Sequence, residues 1–213
     1  MKYHMDDSHI DGTPSAVLYR QTLDYYPKSA IGCFIISGDW DEEALIELKE
    51  KSGAWFLVGL QIDDYDFERL DIMEGVIRCQ PDEVNEVIKL LDVNSASTLI
   101  GIDAIDIKSL FKCCHSFQFI QVSATCKSES DLVKIATQQL VSQLEKARHT
   151  KGLLIAVESI ESPSLEVFSY ISEAVEVLLS NDAYIYYSAS ITDEPHCFRL
   201  KALYAEEWVE VPS

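Results

Sequence analysis

The chain has 213 residues, 47% apolar and 10% aromatic, enough to bury a sizeable core and well outside the composition of disordered chains. Its 36 acidic and 17 basic side chains leave a net charge of −19, so no basic stripe is present to displace counterions from a phosphate backbone, and nucleic acid is excluded as a partner class. No apolar run reaches the roughly 18 residues of a membrane span, and "MKYHMDDSHIDG" at the start holds no apolar signal core, so a cytoplasmic protein without membrane contact is expected.

Residues 1–30 are polar, with Gly12, Pro14 and Pro27 as breakers, and read as an irregular arm whose tyrosines at 19, 25 and 26 dock on the body. From Ala30 the pattern turns regular. "AIGCFIIS" is a continuous apolar run of strand length, and "DWDEEALIELKEKSG" has helical spacing at Leu45, Ile46 and Leu48, with Asp39 or Asp41 as cap and Gly53 as stop. "AWFLVGLQI" is a second buried strand, which makes a βαβ unit with a parallel pair. After the acidic loop "DDYDFERLD" come a short strand, "GVIRC", and a helix over "PDEVNEVIKLL" with Pro81 in its first turn. "DVNSAST" reads as a linker.

The second block begins with "LIGIDAIDIKSLF". Asp103 is a good N-cap for "AIDIKSLFK", and Asp106 three residues on favours the helix dipole. The same spacing puts two carboxylates on one face of the first turn, where they can orient a water or a cation against a phosphoryl group. "HSFQFIQVSA" alternates as a half-exposed strand. A helix follows, started by Ser128 and Asp131, with Leu132, Ile135, Ala136, Leu140 and Leu144 on one face. "GLLIAVES" is a buried strand, and the next helix carries Leu165, Phe168, Ile171, Val175 and Leu178. "DAYIYYSASI" and "CFRLKALYA", joined by "TDEPH", read as an antiparallel hairpin.

Other chemistry finds less support. The six cysteines, at 33, 79, 113, 114, 126 and 197, sit mostly in apolar stretches and read as reduced thiols. Cys113, Cys114, His115 and Cys126 form the one Cys/His cluster, but adjacent ligands on an extended chain point to opposite faces, so no metal site is expected. Cys126 or Ser159 paired with His115 or His196 has no nucleophile motif around it. Asp63, Asp64, Asp66, Glu68 and Asp71 lack calcium-loop spacing and read as a solvated loop. The turn "SGDWDEE" after the first regular strand holds one glycine and four acids, which repel a nucleotide phosphate, so neither independent nucleotide binding nor any cofactor is expected.

From Leu99 to Ala205 the chain resembles the C-terminal domain of FtsZ, the bacterial tubulin relative. The catalytic-loop signature of that family, Asn-x-Asp-x-x-Asp after a Leu-Ile pair, appears here as "LIGIDAIDIKSLF", with Asp103 and Asp106 at the acidic positions and Gly101 in place of asparagine. "KGLLIAVESIESPSLEVFSYISEAVEVLLSNDAYIYYSASITDE" is similar to the strand, helix and strand that follow in the family. The Gly-rich "GGGTGTG" phosphate loop has no counterpart. The resemblance implies an α/β, reduced FtsZ/tubulin-like fold: an N-terminal βαβ-type layer plus a C-terminal β-α-β-α-β-β domain with a four-stranded mixed sheet and two helices. It divides the chain into an arm over residues 1–29, a reduced GTPase-domain-like block over 30–92, a linker at 93–98, an FtsZ C-terminal-like domain over 99–206 and a tail at 207–213.

In FtsZ the two aspartates of one subunit complete the nucleotide site of the next. The resemblance therefore implies a protein that holds no GTP itself and offers Asp103, Asp106 and Gly101 to the nucleotide end of an FtsZ-type partner, capping or modulating its filament. The alternative is a scaffold or homo-oligomer in which the same carboxylates only cap a helix.

Overall fold

The computed structural model describes residues 14–22, 25–63, 70–92, 97–125, 129–145, 150–195 and 197–205. In chain order the elements are β1 (Ala16–Tyr19), β2 (Ile31–Ile35), α1 (Glu42–Ser52), β3 (Phe56–Gln61), β4 (Met73–Arg78), a 3-10 turn (Pro81–Glu83), α2 (Val84–Leu91) and β5 (Thr98–Ile100). They continue with α3 (Ala104–Cys113), β6 (Ser116–Thr125), α4 (Glu129–Leu144), β7 (Thr150–Ser159), α5 (Leu165–Glu176), β8 (Leu179–Ile191) and β9 (Cys197–Ala205).

The nine strands among the described residues join one sheet, in the order β1-β2-β3-β4-β6-β9-β7-β8-β5. The first five in that order run parallel, as βαβ connections require. β9 lies antiparallel to both β6 and β7, and β8 is parallel to β7, which makes β6, β9, β7 and β8 the expected mixed four-stranded array with α4 and α5 on one face. That face holds one core, in which Leu132, Ala136 and Leu140 of α4 and Ile171 and Val175 of α5 meet Ile155, Leu200 and Ala202. The opposite face is covered by α2 and α3. Val87 and Leu91 share a single core with Cys33, Ile77, Ile107, Phe117, Leu154 and Leu203, so residues from both sides of the 93–98 segment pack together.

Several expectations need correction. β8 and β9 are not a hairpin, because β7 lies between them. β9 is buried along nearly its whole length, whereas the tyrosine- and serine-rich β8 is half-exposed, so burial places β9 inside the sheet. Within the arm, where no strand is expected from the sequence, Ala16–Tyr19 forms the first edge strand, paired with β2. Tyr19 is buried with its hydroxyl on the Pro27 carbonyl and near Ser29, and Tyr26 stacks against it at 5.7 Å, while Tyr25 points to solvent. Thr98 already belongs to β5, so the sheet reaches into the expected linker; residues 93–96 lie outside the described ones. Ile46, Ile135 and Leu165 are exposed. The stripe of α5 that meets the sheet begins one turn after Leu165, with Val167 and Phe168.

Helix α1 starts where its sequence places it. Asp41 is the cap, its carboxylate accepting the Ala44 N–H at 2.8 Å, and Gly53 closes the helix with its N–H on the Lys49 carbonyl. Ser128, expected to start α4, lies outside the described residues.

Candidate functional site

The short strand β5 ends at Ile100, paired against β8 at the edge of the sheet. Gly101 is exposed, Ile102 turns into the core, and the chain reverses into α3. Ala104, Ile107, Leu110 and Phe111 anchor that helix on the sheet. Two strand glycines let it come close. A Cβ on Gly152 of β7 would stand 2.5 Å from Cys113 Sγ and 2.9 Å from a Leu110 methyl, and one on Gly75 of β4 would run into the Phe111 ring, 2.8 Å from its Cε1. The two glycines thus set how low α3 sits, and with it the position of its first turn.

At that turn Asp103 and Asp106 form a reciprocal capping box. Asp103 Oδ1 accepts the Asp106 N–H at 2.7 Å, and Asp106 Oδ2 accepts the Asp103 N–H at 3.2 Å. Asp103 is exposed and Asp106 half-buried. Each carboxylate therefore has one oxygen committed to the backbone, which fixes its direction and leaves the other oxygen for a partner. Tyr186 of β8 faces the turn: burial raises its phenol above the usual range, and the negative charges of Asp106 and Asp103 add to that rise. Leu99, Ile100 and Ile105, next to the two aspartates in the chain, are exposed.

Behind the turn lies a cavity of about 90 Å³, walled by Thr98, Gly101 and Ile102 on one side and Ala156, Glu158 and Lys201 on the other. Lys201, in the middle of β9, is only 6% exposed. Its ammonium meets Glu86 of α2 at 2.7 Å and Glu158 of β7 at 2.9 Å. Arg199 meets the same Glu158 at 3.0 Å and Glu194 at 2.8 Å, and Lys89 meets Glu86 at 2.7 Å. Burial works against the ionised form of Glu86, but Lys201 and Lys89 outweigh it and hold the carboxyl down to about 2. In Glu158, too, burial opposes ionisation, and the Lys201 and Arg199 cations lower the carboxyl despite it. Composition and spacing did not single out this cluster. Its signal was present in "CFRLKALYA", where Arg199 and Lys201 two residues apart interrupt an apolar strand on one face.

The remaining sequence candidates fall elsewhere. Cys113 donates its thiol to the Leu110 carbonyl at 2.8 Å, Cys114 bonds to the Ser116 carbonyl at 3.3 Å, and His115 Nδ1 lies 3.2 Å from the Glu74 carbonyl. Burial pushes the Cys113 and Cys79 thiols up to about 11, the reverse of an activated nucleophile. Ser159 donates to the Glu161 carbonyl at 2.6 Å. Cys126, His196, Asp64, Asp66 and Glu68 lie outside the described residues, and among the described residues no three His, Cys, Asp or Glu side chains gather as a metal site. At the turn before α1, Asp39 and Asp41 are exposed, Trp40 packs on Phe34 at 5.3 Å between ring centres, and Glu42 and Glu43 fill the first turn of the helix.

No protein-family model and no curated protein matches the chain. Solved structures do. An FtsZ mutant from M. jannaschii superposes with a TM-score of 0.62 at 17% identity, covering 83% of this chain and 65% of that one. An empty FtsZ dimer from M. jannaschii gives 0.60 at 13% identity, covering 86% and 69%. CetZ from Methanosaeta thermophila strain DSM 6194 gives 0.56 at 11% identity, covering 85% and 64%. The fold is FtsZ/tubulin-like, and the chain spans about two thirds of the length of these structures.

Proposed function

We propose that this chain is an FtsZ-like interaction protein that presents the Asp103/Asp106 turn to the nucleotide end of an FtsZ-type subunit and so caps or modulates its filament. One observation carries the reading. The fold is FtsZ/tubulin-like, and the turn whose sequence resembles that family's catalytic loop stands at a sheet edge with Asp103 exposed, Asp106 half-buried, and both carboxylates held in a fixed direction by their capping box. Inserted into a partner's site, each would use its uncommitted oxygen to orient a water or a cation against the phosphoryl group. Gly101 brings no side-chain amide to that contact.

Support for the chain holding no nucleotide of its own comes from α1. The Asp41 carboxylate already takes a first-turn N–H that would face a phosphate, and Glu42 and Glu43 add charge of the wrong sign. A second reading, a scaffold or homo-oligomer in which the aspartates are caps alone, draws on the same box, since both side chains have a complete structural role without any partner.

The test is sedimentation of full-length FtsZ from the same cell with GTP, with and without substoichiometric amounts of this protein. Shortened or reduced polymer, with this chain in the pellet, is expected. The double variant Asp103→Ala, Asp106→Ala should lose that effect and any change in GTP turnover. An effect that survives the double variant overturns insertion of the turn.

A further inference from the structure

The Lys201 cluster joins parts of the molecule that lie far apart in sequence. Glu86 comes from α2, which belongs to the 30–92 block, while Glu158, Arg199 and Lys201 come from central strands of the C-terminal array. α2 is also held at its far end, where Asp92 Oδ1 accepts the Ser15 N–H at 2.7 Å just before β1. The helix is thus a strut from the β1 edge to the middle of β9, tied at both ends by a carboxylate of its own. Leu90 of α2 and Asp92 at its end line the same 90 Å³ cavity as Lys201, Glu158, Thr98, Gly101 and Ile102, and Leu90 and Leu91 share one core with Ile102.

We propose that Glu86, Lys201 and Glu158 form an ionic clamp that fixes α2 on the sheet and, through the core that Leu90 and Leu91 share with Ile102, holds the Thr98–Ile102 segment that positions Asp103. The physical reason lies in the ordering of charge. Lys201 is the cation between two carboxylates from different elements, in a setting dry enough that the attraction is weakly screened. Withdraw the lysine and Glu86 faces Glu158 without the ammonium that joined them. Withdraw Glu86, and Lys201 stays satisfied by Glu158 while α2 loses its tie. The clamp is therefore a device for coupling two halves of the fold, and the α2 side releases first. Glu194, reached through Arg199, extends the chain of charges to the loop between β8 and β9.

This inference concerns the chain alone and is tested without any partner, so its failure and that of the capping reading are separable. Amide hydrogen exchange is followed in the full chain for wild type, Glu86→Gln, Lys201→Met and the double variant. Glu86→Gln should speed exchange about tenfold in the second half of α2 and in the Thr98–Ile102 segment, with less than about twofold change in Leu153–Val157 of β7. The double variant should exchange in those segments about as Glu86→Gln does, because the tie to α2 is already lost; its further loss, the Lys201–Glu158 pair, lies between β9 and β7. Three outcomes overturn the clamp: no change in either segment, equal acceleration in every strand, or additive effects of the two substitutions. Where Lys201→Met alone does not fold, Glu86→Gln still decides, since it leaves the buried lysine paired.

Discussion

Two helices of this molecule start alike and sit in different settings. α1 follows β2 within the parallel part of the sheet, capped by Asp41 and followed by two exposed glutamates. α3 follows β5 at the opposite edge, closed by Asp103 and Asp106 in a reciprocal box. Both helix starts use carboxylates to satisfy first-turn N–H groups, and both would look equally functional or equally structural from that chemistry alone. What separates them is the support beneath. α3 is pressed onto β4 and β7 through Gly75 and Gly152, its first turn faces Tyr186, and the Gly101–Ile102 turn before it lines the cavity shared with the ionic clamp.

The sharpest way to break this contrast is to lift α3 from its seat. Gly152→Val puts a side chain where Cys113 and Leu110 already lie and should cost about 1–3 kcal/mol, or roughly 2–4 °C in Tm per kcal/mol for a chain of this size. Thermal melts check it, and an unchanged Tm would mean that α3 is free to ride up. Next in size, Asp103→Ala and Asp41→Ala should each cost about 1 kcal/mol in denaturant titration, because each removes one cap. In the sedimentation experiment the two should part: Asp103→Ala weakens the effect on FtsZ polymer and Asp41→Ala leaves it intact. Equal behaviour there would reduce both to caps.

An acid titration sharpens the other half of the comparison, the ion cluster beside the turn that leads into α3. Glu86 has its carboxyl lowered from 4.5 to about 2 in the fold, so its contribution to stability is present in full above 4.5 and is lost as pH falls toward 2. Glu158, lowered in the same direction, adds to the slope. Stability measured by denaturant between pH 6 and 2.5 should fall through that window, and Glu86→Gln should flatten the curve. The smallest effect belongs to Lys89→Ala: the lysine is largely exposed, its pair with Glu86 is a helix-surface i,i+3 contact, and a loss of about 0.2–0.5 kcal/mol is expected.

Much of this was legible in the residues. The apolar run of β2, the capped and glycine-stopped α1, the buried β3 and the β-α-β-α-β-β order of the second block rest on local periodicity and turn chemistry, which act over a few residues. The Asp103 turn was legible for the same reason, since a capping box is a four-residue pattern. The Lys201 cluster was not. Its carboxylate partners lie 115 and 43 positions away in the chain, and only the sheet order brings them within 2.7 and 2.9 Å. The misread hairpin has the same cause: "TDEPH" permits a tight return, and nothing local says that β7 fills the place beside β9.

The residues alone therefore determined the class of fold, the β-α-β-α-β-β order of the second block, the acidic net charge and the box that directs two aspartates. The tertiary structure decided where β9 goes, that Ala16–Tyr19 is an edge strand, and that a lysine and two glutamates meet behind the turn. The division follows the range of the forces. Caps, periods and turns are satisfied within a few residues, whereas strand order and buried charge pairing are settled by which arrangement buries the most apolar surface while leaving no ion without its counter-ion.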